Sequence, residues 1–335
     1  MYDNGYAGVE GSIHVLMITS EWPTPELPHS GPFIRQQVEF LRRAGVRVDV
    51  FRFQGARNPL NYLRAWRLVR NQLSRNNYDL VHAQWGQNAL LALPRRRPLV
   101  ITFRGSDLEG MTGKSGRYTY WGWVLRTVSR WMARLADQVI VVSERLARHL
   151  PVRAYHVIPS GLDLELFQPF PQTEARKELG LPVNKRLILF AAAPEISLKR
   201  YCLARAAVAK LNAQSGVELV VASGVVHSKM PTYMSACDVL LLTSLHEGSP
   251  NVVKEALACN LPIVSVAVGD VRERIGCIES CVVCADDRPE TIAAGLALVL
   301  GRSKRTEIRS TVGDLDENII AQKVISVYRK AMSIT

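Results

Sequence analysis

The chain has 335 residues, 47% of them hydrophobic and 21% charged; it is too long for one ordinary core and too apolar for disorder, which predicts two packed domains. No apolar run reaches the roughly 18–20 residues a membrane-spanning helix needs, and the polar, glycine-rich opening MYDNGYAGVEGS is unlike a signal peptide, so the expected location is cytoplasmic, with residues 1–11 a loose tail. The formal charge of +12 is uneven: residues 1–160 hold 22 Lys and Arg against 11 Asp and Glu, and residues 161–335 hold 20 against 19, so the first half is the one to attract a membrane surface, a phosphorylated acceptor or nucleic acid.

Ile13 to Thr19 (IHVLMIT) reads as a buried strand, followed by a proline-rich loop too long to be mere connection and by an amphipathic helix, FIRQQVEFLRRAG, stopped by Gly45. This is the first unit of a Rossmann-like half. Gly31, just before the helix, is either an ordinary turn glycine or one that lets a phosphate or sugar approach backbone N–H groups. Val46 to Phe53 is the second strand, and Tyr62 to Leu73 a helix with Arg64, Arg67 and Arg70 on its polar face. His82, near the end of the third strand (Asp79 to Ala83), either faces a cleft on the acceptor side or is a satisfied structural histidine. Pro94 to Pro98 encloses three arginines in an exposed tip. The strand Leu99 to Phe103 delivers Arg104-Gly-Ser-Asp107 at its carboxyl end, where open parallel sheets bind ligands. Asp107 either shapes that turn or orients an acceptor hydroxyl.

In Tyr118 to Leu135, helical spacing gathers Trp121, Val124, Leu125, Val128, Trp131, Met132 and Leu135 on one side, while Arg126, Arg130 and Arg134 follow at four-residue steps. Such a helix packs on the sheet or lies among lipid headgroups. After a strand at Asp137 to Val142, the Pro and Gly of His156 to Pro169 mark the domain break. The second half opens with the strand Leu187 to Ala193 and a helix preceded by Lys199; a strand at Glu218 to Ala222 leads to a loop holding Val226 and His227, the histidine expected at the surface.

Cys237 to Asp270, CDVLLLTSLHEGSPNVVKEALACNLPIVSVAVGD, is the stretch around which the rest is arranged. Asp238 to Leu242 and Leu261 to Val266 read as strands buried on both faces. The helix between them is expected to be capped by Ser249 with Pro250 in its first turn, so its amino end makes a seat for an anion. Glu247 and Glu255, eight apart, flank that end, and carboxylates accept hydrogen bonds well from vicinal hydroxyls: a diphosphate seated there would have a sugar on one side and a ribose on the other. Of the six cysteines, all in the second half, Cys281 and Cys284 fall on opposite faces of a strand and lack a fourth ligand, which favours buried thiols over zinc. Asp314-Leu-Asp316 precedes a helix and reads as a cap, not as a metal motif.

The two glutamates, set between buried strands beside Ser249-Pro250-Asn251, resemble the E-x7-E signature of the retaining glycosyltransferases of family four. The resemblance runs from about Ile13 to the end. It implies an α/β chain of GT-B type, two Rossmann-like doubly wound parallel-sheet domains facing across a cleft: an acceptor-side domain at 12–165, a nucleotide-sugar-binding domain at 166–315, and a last helix at 316–335 crossing back to the first domain. It also implies roles. Glu255 contacts the donor ribose, Glu247 approaches the transferred sugar, and the backbone of Gly248, Ser249, Pro250, Asn251 and Val252 holds sugar and phosphate. Gly31 meets the donor phosphate across the cleft, Lys199 meets the diphosphate, and the loop around Val226 faces the base. Arg104 stands where related enzymes commonly have a histidine, so it is expected to steady a phosphate or hydroxyl without titrating. The family's arginine near the end of the Leu187 strand is absent, leaving Arg200 or Arg104 to compensate. Cys259-Asn260-Leu261-Pro262 replaces a small residue, Gly and Pro, and Asn260 can take the left-handed conformation a helix end wants.

The implied activity is retaining transfer from a nucleotide sugar, UDP-linked before GDP-linked, to a glycan or lipid-linked acceptor in polysaccharide or glycoconjugate synthesis, with no cofactor and no metal. The basic domain is expected to contact an anionic membrane. A nucleotide-sugar 2-epimerase of the same fold and a basic nucleic-acid-binding protein are the competing readings; the second lacks a recognition motif.

Overall fold

The computed structural model describes residues 12–24, 30–55, 58–110, 119–302 and 306–334. The expected tail at 1–11, the middle of the first loop and Tyr118 lie outside these residues. In chain order the elements are β1 (His14–Thr19), α1 (Pro32–Arg43), β2 (Arg47–Arg52), α2 (Pro59–Arg75), β3 (Leu80–Gln84), a 3-10 segment (Gly86–Ala92), β4 (Leu99–Phe103), α3 (Ser106–Glu109), α4 (Tyr120–Leu135), β5 (Gln138–Val141), α5 (Glu144–Ala147) and β6 (His156–Val157). The second half continues with α6 (Gln172–Leu179), β7 (Arg186–Phe190), α7 (Tyr201–Ser215), β8 (Val217–Val221), α8 (Met230–Ala236), β9 (Val239–Leu242), α9 (Asn251–Ala258), β10 (Ile263–Ser265), α10 (Val271–Ile275), β11 (Val282–Val283), α11 (Pro289–Leu300) and α12 (Glu317–Met332).

The strands form two all-parallel sheets, ordered β2-β1-β3-β4-β5-β6 and β11-β10-β9-β7-β8. Parallel strands need crossover helices on both faces, so their side chains are buried whichever way they point. Strand β1 shows the division: Val15 and Met17 face a core shared with Ile34, Val38 and Leu41 of α1, whereas Leu16 and Ile18 face one shared with Ala65 and Val69 of α2 and Met132 of α4. Helix α12 joins the first of these cores through Ile320, Val324 and Tyr328, and Glu317 at its start pairs with Arg43 of α1 at 2.6 Å. The chain's end thus belongs to the first domain. Asp316 caps α12, its side chain accepting from Asn318 N, as its reading as a helix cap required.

Two expectations about faces need correction or refinement. Helix α4 does not bury its tryptophans: Gly122, Ser129, Met132 and Ala133 face the sheet, while Trp121 and Trp131 are 45% and 49% exposed. The reason is steric, because the Gly86–Ala92 segment lies so close that a methyl on Gly86 would sit 2.6 Å from Ser129 Cβ, and only the small-residue face of α4 fits there. Cys281 and Cys284, expected on opposite faces, flank β11 and are both buried free thiols; burial pushes the Cys284 thiol up to about 11. Asn260 does adopt the left-handed conformation at the end of α9, with φ 54°, and its Oδ1 accepts from the amides of Ile308 and Arg309 at 2.9 Å each.

Candidate functional site

Strands β7 and β9 are neighbours, so the loops leaving their carboxyl ends are neighbours too. Thr243 Oγ1 donates to Lys199 O at 2.8 Å and Leu245 N to Leu198 O at 2.8 Å. This seam of loop against turn brings the Lys199 ammonium 2.5 Å from Glu247 Oε1. The side chains are 30% and 17% exposed respectively, shielded enough for the charges to be felt and open enough for a ligand to reach them.

Helix α9 begins at Asn251, and no side chain caps it. This corrects the expected role of Ser249: Pro250 takes the capping position, leaving Ser249 one residue too early to reach an amide of the first turn, and its hydroxyl donates to Asp270 Oδ2 at 2.7 Å. The amino end of α9 is left without an internal side-chain acceptor, which suits an anion better than the capped helix the sequence suggests. Asn251 Oδ1 accepts from Lys254 Nζ at 3.3 Å. Val252 is partly buried against the core.

Glu255 lies in the second turn of α9, its side chain 10% exposed, and takes a hydrogen bond from His227 Nε2 at 2.9 Å. His227 is therefore not the surface residue its sequence context suggests. Its ring leans on Phe167, with centroids 5.1 Å apart, and its Nδ1 lies 3.4 Å from Gln36 Nε2 in α1 of the other domain. Burial alone would lower its pKa, but the hydrogen bond and charge of Glu255 and the charge of Asp163 outweigh it and raise the group above its usual range. Val226, one residue earlier, is 58% exposed.

Gly248 is where the halves meet. A methyl there would lie 2.1 Å from Arg104 O and 3.2 Å from Gly105 Cα, so the residue must be glycine for the domains to approach this closely. Ser143 Oγ donates to Gly248 O and Arg145 Nη1 to Gly269 O, both at 3.1 Å. Gly31 starts α1 in the left-handed region, φ 63°, and α1 then carries Gln36 to His227 and Gln37 to Arg104.

The first-domain candidates divide differently. Arg104 is half-buried, with Nε on Gln84 Oε1 (2.9 Å), Nη1 on Ser160 Oγ (3.0 Å), Nη2 on Gln37 Oε1 (2.9 Å) and its guanidinium 4.7 Å from the Phe33 ring centroid. Burial lowers its pKa to about 10, against the nearby charges of Asp107 and Glu21, so it stays cationic. Arg200, the other guanidinium expected to compensate, donates to Thr243 O at 2.6 Å and pairs with Asp287 at 2.5 Å. His82 is withdrawn as an acceptor-side residue: it is wholly buried, with Nδ1 2.7 Å from Tyr328 Oη and Nε2 2.7 Å from Thr102 Oγ1, and burial pushes its pKa down to about 3. Asp107 is withdrawn too. It is buried beneath the loop, where Oδ1 accepts from the amides of Arg104 and Gly105 and Oδ2 from that of Gly86, so it shapes the turn.

Two residues the sequence did not single out lie near these groups. Glu109, in α3, has its carboxyl pKa raised by burial, with Arg145 opposing and Asp107 and Glu247 adding to the rise. Lys254 hides in the apolar stripe VVKEALA: it is 2% exposed, and burial lowers its pKa to about 8 against the pull of Asp270. A charged residue at a core position of the helical period was a usable signal for Lys254; Glu109, in a four-residue helix, offered none. Among the described residues no group of three or more His, Cys, Asp or Glu is arranged to hold a metal.

Residues 10–166 match the family model Glycosyltransferase Family 4, and residues 184–302 match Glycosyl transferases group 1. A putative teichuronic acid biosynthesis glycosyltransferase of Bacillus subtilis is 25% identical, with 92% of this chain and 94% of that protein covered. The D-inositol 3-phosphate glycosyltransferase of Mycobacterium tuberculosis is 30% identical over 57% of this chain and 48% of its own length. Among solved structures, sucrose-phosphate synthase from Thermosynechococcus elongatus superposes with a TM-score of 0.81 at 17% identity, covering 96% of this chain and 100% of that one. Anabaena HepE, solved with UDP and glucose, gives 0.70 at 17% identity over 94% and 99%. At such identities the structural likeness is one of fold.

Proposed function

The chain is a glycosyltransferase that belongs to family 4 and has the two-domain GT-B fold, and from that premise we propose that it transfers a sugar with retention from a nucleotide diphosphate sugar, UDP-linked before GDP-linked, to a glycan or lipid-linked acceptor in polysaccharide synthesis. The observation that carries this reading is the Lys199–Glu247 pair beside the uncapped end of α9: a cation and a helix end for the diphosphate, with a carboxylate for the sugar. UDP is favoured because HepE was solved with UDP and glucose, and the polymer context follows the Bacillus relative.

In this reading the diphosphate rests on the α9 amides and Lys199, the sugar meets Glu247 and the Gly248 backbone, and the ribose meets Glu255. As the bond from the sugar's anomeric carbon to phosphate breaks, the acceptor oxygen bonds to that carbon from the same face, and the departing phosphate oxygen takes the acceptor's proton. Lys199 and the helix end stabilise the charge growing on the leaving group without a metal, and contact of the halves at Gly248 excludes water. A thermal-shift panel of nucleotide sugars, followed by transfer assays, tests it. Stabilisation by a UDP-sugar, lost with Glu255→Gln, is expected; hydrolysis or epimerisation with donor alone would replace the reading.

The acceptor side adds a membrane. Tyr120, Trp121, Trp123 and Trp131 of α4 and Leu60, Leu63 and Leu68 of α2 are all exposed, both helices lie on the same face of the first sheet, and arginines are interspersed among them. Aromatic rings with arginines suit an anionic headgroup layer. Flotation with anionic liposomes should carry the protein at low salt and lose it with Trp123→Ala and Trp131→Ala combined.

A further inference from the structure

The donor-site acid Glu255 is not held by its own helix. Its Oε1 is bonded to His227, which comes from the loop after β8, and the opposite edge of the same ring faces Gln36 of α1 in the first domain. Gln36, His227 and Glu255 thus form a chain that crosses the cleft and ends on the carboxylate assigned to the ribose. A carboxylate on a helix has several rotamers, and one bonded to a half-buried ring has lost most of that freedom before the ligand arrives. The ring is itself pinned by Phe167, in the segment joining the two domains.

Resting on the reading of Glu255 as the ribose acid, we propose that His227 is a positioning residue of the donor site: its Nε2 aims Glu255 at the nucleotide, and its Nδ1 ties that acid to Gln36, so donor binding and approach of the first domain act through one ring. With Gln36 Nε2 donating to Nδ1, the ring carries its proton on Nε2 and donates it to Glu255. The groups around the ring are Glu255 on α9, Asp163 and Phe167 in the interdomain segment, and Gln36 on α1; Lys229 on its own turn is engaged by Glu178 at 2.6 Å. Protonation strengthens the hold on Glu255 and makes Nδ1 a donor, which Gln36 meets by turning its amide so that Oε1 accepts. Because the pairing raises the histidine's pKa, this extra hold is present below its ordinary value and is lost as pH rises through the raised one.

The test is donor KM and kcat for wild type, His227→Ala, His227→Gln, Gln36→Ala and Glu255→Gln, with the melting temperature of each free protein. His227→Ala should raise donor KM about tenfold with kcat changed less than about threefold, His227→Gln should restore most of the loss by donating an N–H of its own, and Gln36→Ala should raise KM about threefold. Wild-type KM should climb with pH through the raised histidine range, and His227→Gln should flatten the profile. An unchanged KM in His227→Ala alongside a raised one in Glu255→Gln would overturn this role and leave the donor site standing. Unchanged KM in both would remove the site reading itself. If His227→Ala melts early, the decision passes to the other two variants: a wild-type pH profile in His227→Gln, or a wild-type KM in Gln36→Ala, would sink the proposal.

Discussion

The two walls of the cleft are built from similar residue types put to different uses. On the first-domain wall, His82 and Asp107 are wholly buried, each satisfied by hydroxyls or backbone amides, and Arg104 spends donors on Gln84, Ser160 and Gln37. On the second-domain wall, Lys199 pairs with Glu247 and His227 with Glu255; Lys199, Glu247 and His227 remain partly open, and Glu255 keeps 10% of its side chain exposed. A polar group whose partners are all internal stabilises and shapes; one whose partner is an exchangeable neighbour can be handed to a ligand. Under the proposed function the first wall is scaffold and the second carries the chemistry, and substitutions on the two sides should separate accordingly.

The largest effect belongs to Lys199→Met, which removes the cation proposed to meet the leaving group. The expected outcome is a loss of about 100-fold or more in kcat in a transfer assay, with the folded state kept because the side chain is partly exposed. Gly248→Ala, at the seam of the walls, comes next. Its methyl meets the Arg104 carbonyl, so the halves must part, and about 100-fold in kcat/KM is expected from displacement by roughly an ångström; small-angle scattering should show a wider molecule. The smallest effect tests the first wall alone. His82 has its folded pKa pushed down to about 3, so below its ordinary value near 6.5 the unfolded chain takes up a proton that the folded one refuses, and stability falls as pH drops from about 6.5 towards 3. Denaturant unfolding should show about 2 kcal/mol less stability at pH 5 than at pH 7.5 from this group, and His82→Gln should lose that slope. If His82→Gln instead changed donor or acceptor KM in the folded enzyme, the division between the walls would fail.

Much of this was legible in the chain. Short β-branched runs announced the buried strands, because a parallel strand covered on both faces has no other sequence that serves. The eight-residue spacing of Glu247 and Glu255 could be read from the chain and gained its meaning from the family resemblance, and the left-handed Asn260 followed from that resemblance together with what a helix end wants. The failures came from residues whose roles depend on what lies opposite. His227 and Glu255 are 28 apart in sequence and meet only because two loops leave the same end of one sheet. Helical spacing gathered the apolar residues of the tryptophan-rich helix on one side, and the close approach of Gly86 to Ser129 buried the small-residue face instead.

By itself the sequence determined the repeating strand and helix order, the place where α9 begins and the basic bias of the first half, since these rest on local periodicity, backbone chemistry and charge counting. Tertiary structure alone decided which polar side chains were sealed and which were left open, why Ser249 turned to Asp270, and that Gln36, His227 and Glu255 share one chain of contacts. Burial and partnership depend on distances between segments remote in sequence, and those distances exist only after the sheets have packed.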